Sequence, residues 1–161
     1  MNSRIALLLS LLVISSATVF ADDGPIQLAL FNPVQIVPEG SSVTAFRFSL
    51  LYGKNQSVTG LDLGLVNMSS GGMSKGIQWG AVGVNNGSFI GWQGNWLVSI
   101  SDGGIEGLQS AIYNSSNHTG GVQIGLLNMT ETMNGIQLGL LNFIKQGGFF
   151  PFFPIVNWSF K

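Results

Sequence analysis

Apolar side chains in this chain alternate with small or amide residues in short runs, and the runs fit one eight-residue template: small, apolar, Gln, apolar, small, apolar, apolar, Asn. The clearest copies are Gly121–Asn128 and Gly135–Asn142, with Gly60–Asn67 and Gly107–Asn114 close behind. Looser copies start at Pro25, Ala45, Gly76, Gly91 and Phe150. The nine starts are separated by 20, 15, 16, 15, 16, 14, 14 and 15 residues, a near-constant period that marks a repeat architecture. Within each copy the second, fourth and sixth places are apolar, the period of two expected of a strand with one apolar face. Tracts between copies, such as Met68–Lys75, Ser99–Glu106 and Ser115–Gly120, are rich in Gly, Ser, Asn and Asp and turn the chain. No 3.6-residue period is sustained after residue 22. The fold class is therefore all-β, with tandem repeats of about 15 residues and a helix only in the leader.

The leader is the segment 1–21. Arg4 gives it a positive start, Ile5–Val19 is apolar or small, and Val19-Phe20-Ala21 supplies small residues where a signal peptidase reads. Its apolar run is short for a membrane span, which takes about 20 apolar residues. Residues 22–161 then form one β-repeat domain, long enough to bury a core without staples. The chain has no cysteine, which excludes a disulfide framework and a lipid anchor on an N-terminal cysteine.

Two architectures accommodate such units. In a stacked β-solenoid or roll, coils lie in parallel and like residues meet. Gln27, Gln78, Gln93, Gln109, Gln123 and Gln137 would then form one amide ladder, and Asn32, Asn67, Asn114, Asn128, Asn142 and Asn157 another. Val98 and Gly83, which stand where the template has Asn, would break the second. The apolar sides of the copies would be hidden collectively. In the alternative, a small antiparallel β-barrel of the outer membrane, the apolar face meets lipid and Gly and Gln fill the interior. Pro151 and Pro154 argue against closure, because proline within a sheet belongs at an edge. The partner of Gln123 distinguishes the two: Gln137 in a stack, an oppositely running neighbour in a meander.

The runs Phe46–Gly53 and Val58–Asn67, the Gly-Leu-Gln-Leu-Gly-Leu-Leu-Asn series and the closing Phe152–Trp158 resemble the surface-repeat-containing proteins exported by Gram-negative bacteria and spirochaetes. The resemblance covers nearly all of the chain after the leader. It implies an exported protein of the periplasm, outer membrane or cell surface, and it supplies no catalytic residue.

Chemistry is sparse. After the leader, Arg47, Lys54, Lys75, Lys145 and Lys161 stand against Asp22, Asp23, Glu39, Asp62, Asp102, Glu106 and Glu131, with no basic stripe for nucleic acid. His118, the only histidine, sits in a polar turn tract without a nucleophile to activate or cysteines to complete a zinc site. Asp102 and Glu106 lie in a glycine-rich turn and read as solvated. The Asn-x-Ser/Thr tripeptides at Asn55, Asn67, Asn86, Asn114, Asn117, Asn128 and Asn157 follow from repeats that end in Asn before Ser/Thr-rich turns. No catalytic, cofactor or metal residue is assigned, and no small-molecule substrate is evident.

Aromatic residues give the one contact surface to expect. Trp79, Trp92 and Trp96 fall in adjacent copies, and Phe149, Phe150, Phe152, Phe153, Trp158 and Phe160 crowd the C-terminal end. They read either as core filling plus a cap on an open end or as an anchoring patch, for which Trp92, Trp96, Phe150, Phe153, Trp158 and Phe160 are the candidates. The functional expectation is a non-enzymatic envelope or surface repeat protein, a structural or adhesive scaffold whose partner is the outer membrane or another envelope component. The barrel alternative would serve a structural or pore role.

Overall fold

The computed structural model describes residues 23–160; the expected leader, Asp22 and Lys161 lie outside the described residues. Nine strands follow one another: β1 (Gly24–Phe31), β2 (Val34–Gln35), β3 (Val43–Asn55), β4 (Thr59–Ser69), β5 (Met73–Asn85), β6 (Ser88–Ser101), β7 (Ile105–Ser110), β8 (Tyr113–Gln146) and β9 (Phe152–Ser159). No helix occurs among the described residues. The strands make one sheet in the order β2-β1-β3-β4-β5-β6-β7-β8-β9, wound into a β-solenoid of about seven turns. From β4 through β8 each strand pairs in parallel with the one before, and β1 pairs in parallel with β3. Parallel neighbours are what stacking requires and what an antiparallel meander forbids, so the barrel alternative is not the fold. The 34-residue β8 is continuous because coil-to-coil pairing persists around its corners.

Glycine sets the first corner. Gly60, Gly76, Gly91, Gly107 and Gly121 lie in register from coil to coil. With Gly135 they have φ between 107° and 155°, a backbone that L side chains rarely adopt. A Cβ at any of them would overlap a backbone carbonyl of the preceding coil. The second corner lies between the fifth and eighth places, where Asn67, Asn114 and Asn142 donate from Nδ2 to the carbonyls of Gly64, Ala111 and Gly139, at 3.3, 3.3 and 2.7 Å.

These corners decide which face is inside. The corner glycines are the places where no side chain fits against the neighbouring coil, and the period of two carries the third place inward with them. Gln27, Gln78, Gln93, Gln109, Gln123 and Gln137 are accordingly buried completely, as are Asn67, Asn114, Asn128 and Asn142. Buried polar side chains outnumber buried apolar ones. This corrects the expectation that the apolar sides are hidden collectively: Leu28, Leu65, Ile77, Trp79, Ile124, Leu126, Leu138 and Leu140 are all exposed. Nor do Trp79 and Trp96 fill a core.

Stacking gives the nitrogens of the buried Gln amides their acceptors, while Oε1 of Gln137, the last rung, has no partner. Gln137 donates from Nε2 to Oε1 of Gln123 at 2.7 Å, Gln123 to Gln109 at 2.7 Å, Gln109 to Gln93 at 2.9 Å and Gln93 to Gln78 at 3.0 Å. Gln123 thus meets Gln137, the stacked outcome. Each unpaired buried amide would cost about 1–3 kcal/mol, so a Gln at this place favours a hydrogen-bonding partner at the same place on the adjacent coil. At its N-terminal end the column turns ionic: Gln78 donates to Oδ2 of Asp62 at 2.9 Å, and Asp62 accepts from Nε and Nη2 of Arg47 at 2.6 and 2.7 Å.

The Asn column is shorter. Asn114 donates to Oδ1 of Asn128 and Asn128 to Oδ1 of Asn142, both at 2.8 Å, so its amides point opposite to those of the Gln column. Gly83 interrupts it as expected, and the coil that follows compensates. One extra residue in β6 sets Asn95 opposite Gly80 and Ser99 opposite Gly83. The side chain of Asn95 enters the space above Gly83, where a Cβ would strike it, and donates to Ser99 at 2.8 Å.

Both ends are closed by antiparallel strands, β2 on β1 and β9 on β8. The copy beginning at Phe150 is therefore a cap running the other way. Asn157 faces Gln137 in register and donates to the carbonyl of Phe150 at 2.9 Å, leaving the Asn column. Asn32 likewise leaves it and donates to Glu39. Pro151 precedes β9 and Pro154 lies within it, the last strand of the sheet, where a missing N–H is tolerated.

Candidate functional site

With amides inside, the outer surface is assembled from the apolar places of the template. Ile26, Phe46, Leu61, Ile77, Trp92, Leu108 and Val122 lie in register as one outward column. Leu28, Phe48, Leu63 and Trp79 begin a second. At the sixth and seventh places the alternation fails: Leu50 and Leu51, Trp96 and Leu97, and Leu140 and Leu141 are exposed in succession, as they must be where a strand turns outward around a corner. Beyond it Met68, Val84 and Ile100 continue as a further half-buried column. Each coil is thus a wedge, with two apolar flanks meeting at a leucine-rich edge.

Charge occupies the opposite side. Lys75 in β5, Asp102 in a turn, Glu106 in β7, and Glu131 and Lys145 in β8 all fall outside the template copies, and all except half-buried Glu131 are exposed. Lys145 pairs with Glu131, Lys54 with Glu39 at 3.3 Å, and His118 Nε2 stands 3.7 Å from Glu106. The Glu39 carboxyl is held below its ordinary range by the hydrogen bond from Asn32 and then by Lys54. No carboxylate, ammonium or imidazole stands at the second, fourth, sixth or seventh place of the outer surface between Pro25 and Asn142; Arg47 and Asp62, in the third-place column, are buried. Lys54 stands in register with Met68, so one charge, paired with Glu39, lies on the second flank.

A shallow apolar groove of about 370 Å³ runs across coils beside the edge. Its walls are Phe48, Leu50, Leu63, Leu65, Trp79 and Trp96, and its floor includes Gly64 and Gly80. A Cβ at Gly64 would meet Oδ1 of buried Asn67 and the carbonyl of Ser49, so glycine at this place leaves room for the corner amide on the inner side.

The aromatic candidates fall in two groups. Trp92 is half-buried, packs edge-on against Trp79 with centroids 5.3 Å apart, and donates from Nε1 to Ser110 at 3.0 Å. Trp96 stands on the edge with 63% exposed. At the C-terminal end Phe150 stacks on Phe153 and Phe149 on Trp158, both pairs 4.9 Å apart, while Phe160 projects from the end of β9. Trp158 faces Ile136 in register, so this group extends the flank past the last coil. What the aromatic signal misses is the leucine edge, whose mark in the sequence is the doubled apolar pair at the sixth and seventh places.

Asp102 lies exposed in a turn as expected, but Glu106 and His118 lie exposed on β7 and β8 because coil-to-coil pairing continues through those tracts, and His118 Nδ1 is hydrogen-bonded with Thr132 at 2.9 Å. No group of three or more metal-ligating side chains occurs among the described residues. Comparison with protein-family models, curated proteins and solved structures finds no match.

Proposed function

We propose that this chain is a non-enzymatic, exported envelope protein of a Gram-negative bacterium, whose stacked repeats serve as a rigid scaffold at the cell envelope. The observation that carries this reading is the division of the outer surface into two apolar flanks, on which Lys54 is the one ammonium in register, and one polar side. A surface of that kind works by contact along its length, because exposed apolar area of this extent is a feature of interaction sites. Its side chains contribute area and offer neither acid, base nor nucleophile to a substrate. The apolar segment 1–21 supplies the route out of the cytoplasm. Expression with its own leader in a Gram-negative host, followed by fractionation and intact-mass measurement, tests the reading. A chain shortened by the leader and recovered with periplasm or envelope is the expected result; a full-length chain confined to the cytoplasm overturns it.

A further inference from the structure

We propose that the apolar wedge seats in one leaflet of a lipid bilayer, with the leucine edge deepest and the polar turn side in water. The proposal rests on the envelope reading for the source of the lipid, while the docking itself follows from the surface.

Three features select lipid over a protein partner or a second copy. The two flanks diverge from a single edge, so the flat surface of a partner, or the single patch of a two-fold dimer, covers one flank and leaves the other wet. A fluid covers both. Between the two end strands the flanks also expose no backbone demand, because the coils hydrogen-bond along the solenoid axis, meeting over that length the requirement that lipid imposes on polypeptide. Finally, the ionisable groups lie on the side away from the edge, the segregation that defines elements lying in the interfacial plane. The groove beside the edge is open and lined by Phe48, Leu63, Leu65, Trp79 and Trp96, a shape that accepts a flexible acyl chain. Because the one charged side chain in register on the flanks, Lys54, is already paired with Glu39, attachment depends on apolar area and not on anionic headgroups.

Flotation of the purified chain, as recovered from cells, with phosphatidylcholine vesicles tests this. The expected result is binding that survives high salt and gains nothing from added phosphatidylglycerol. The double variant L65K/L126K places two cations on the edge without touching the buried amides. It should keep its β circular-dichroism signal and bind vesicles less well, by roughly tenfold or more. Reversing charge on the polar side with E131K should leave binding unchanged. A folded chain that stays with the aqueous fraction overturns the proposal, as do binding that the edge variant leaves intact and a stable dimer that lipid does not dissociate. The vesicle assay contains no export step. A cytoplasmic chain that floats would sink the envelope reading alone, and an exported chain that fails to float would sink the docking alone.

Discussion

The third-place column closes in two different ways along one solenoid. In the C-terminal coils it is a run of identical amides, Gln78 to Gln137, each donating to its predecessor. In the N-terminal coils the same seat holds Arg47 and Asp62, a bidentate pair with no solvent access to the arginine. The coils have the same shape around both. The stack therefore demands that every buried donor meet an acceptor on the next coil, and it does not demand one residue type. Asp62 joins the two regimes, accepting from Arg47 on one side and Gln78 on the other.

The largest effect should come from breaking that junction. Replacing Asp62 by leucine leaves the Arg47 guanidinium buried without its counter-ion and removes the acceptor of Gln78 Nε2. Loss of one partner of a buried ion pair typically costs about 3–5 kcal/mol, and a lower urea midpoint in D62L measures it. The double variant R47Q/D62Q extends the amide column by two rungs and should recover most of that loss, since replacing a whole buried pair is often neutral. A double variant as unstable as D62L would show that the N-terminal coils need charge for a reason other than pairing.

The Asn column supplies a second contrast, between coils that seat Asn at the eighth place and the pair that moves it. Putting Asn at Gly83 forces a Cβ into the amide of Asn95 and Oε1 of Gln78. G83N alone should lose about 1–3 kcal/mol, the usual cost of overpacking. Combining it with N95G restores the ordinary arrangement, so the double variant should be more stable than G83N by 1 kcal/mol or more (~), the non-additivity of residues in contact. Additive losses in thermal unfolding would mean that Asn95 does not occupy the vacated seat.

The period, the parallel stack and the Gln ladder from Gln78 to Gln137 were legible because each rests on equivalence between copies, and equivalence is visible as recurrence; Gln27, expected in that ladder, is cut off from it by Arg47 and Asp62 and donates to the carbonyl of Val37 at 2.8 Å instead. The break at Gly83 was legible for the same reason. The polarity of the coil was not: alternation says that two faces differ, and only the positive φ of the corner glycines says which face turns in. Of the candidate contact residues, Trp92 and Trp96 lie on the wedge, and the C-terminal aromatics prolong it. The leucine edge was not legible because its residues look like ordinary template positions until the strand is known to bend between them. Asn95 was hidden by the extra residue in β6, which shifts the alignment by one.

The smallest effect concerns the boundary between coils and cap. Along the stack, positive φ is confined to glycine, with one exception: Ile155, at 71°. It faces Gly139 across the antiparallel pair and follows Pro154, so the cap adopts its path against the preference of a β-branched residue. A left-handed backbone costs an L residue about 1–2 kcal/mol, whereas glycine returns roughly 0.5–1 kcal/mol of that in unfolded-state entropy. I155G should thus be neutral to stabilising by about 0.5–1 kcal/mol, with the gain appearing as slower hydrogen exchange at the amides of β9. Because Ile155 is exposed, no packing loss offsets it in water. A destabilised I155G would instead mean that the isoleucine side chain, and not the backbone path, holds the cap on the last coil.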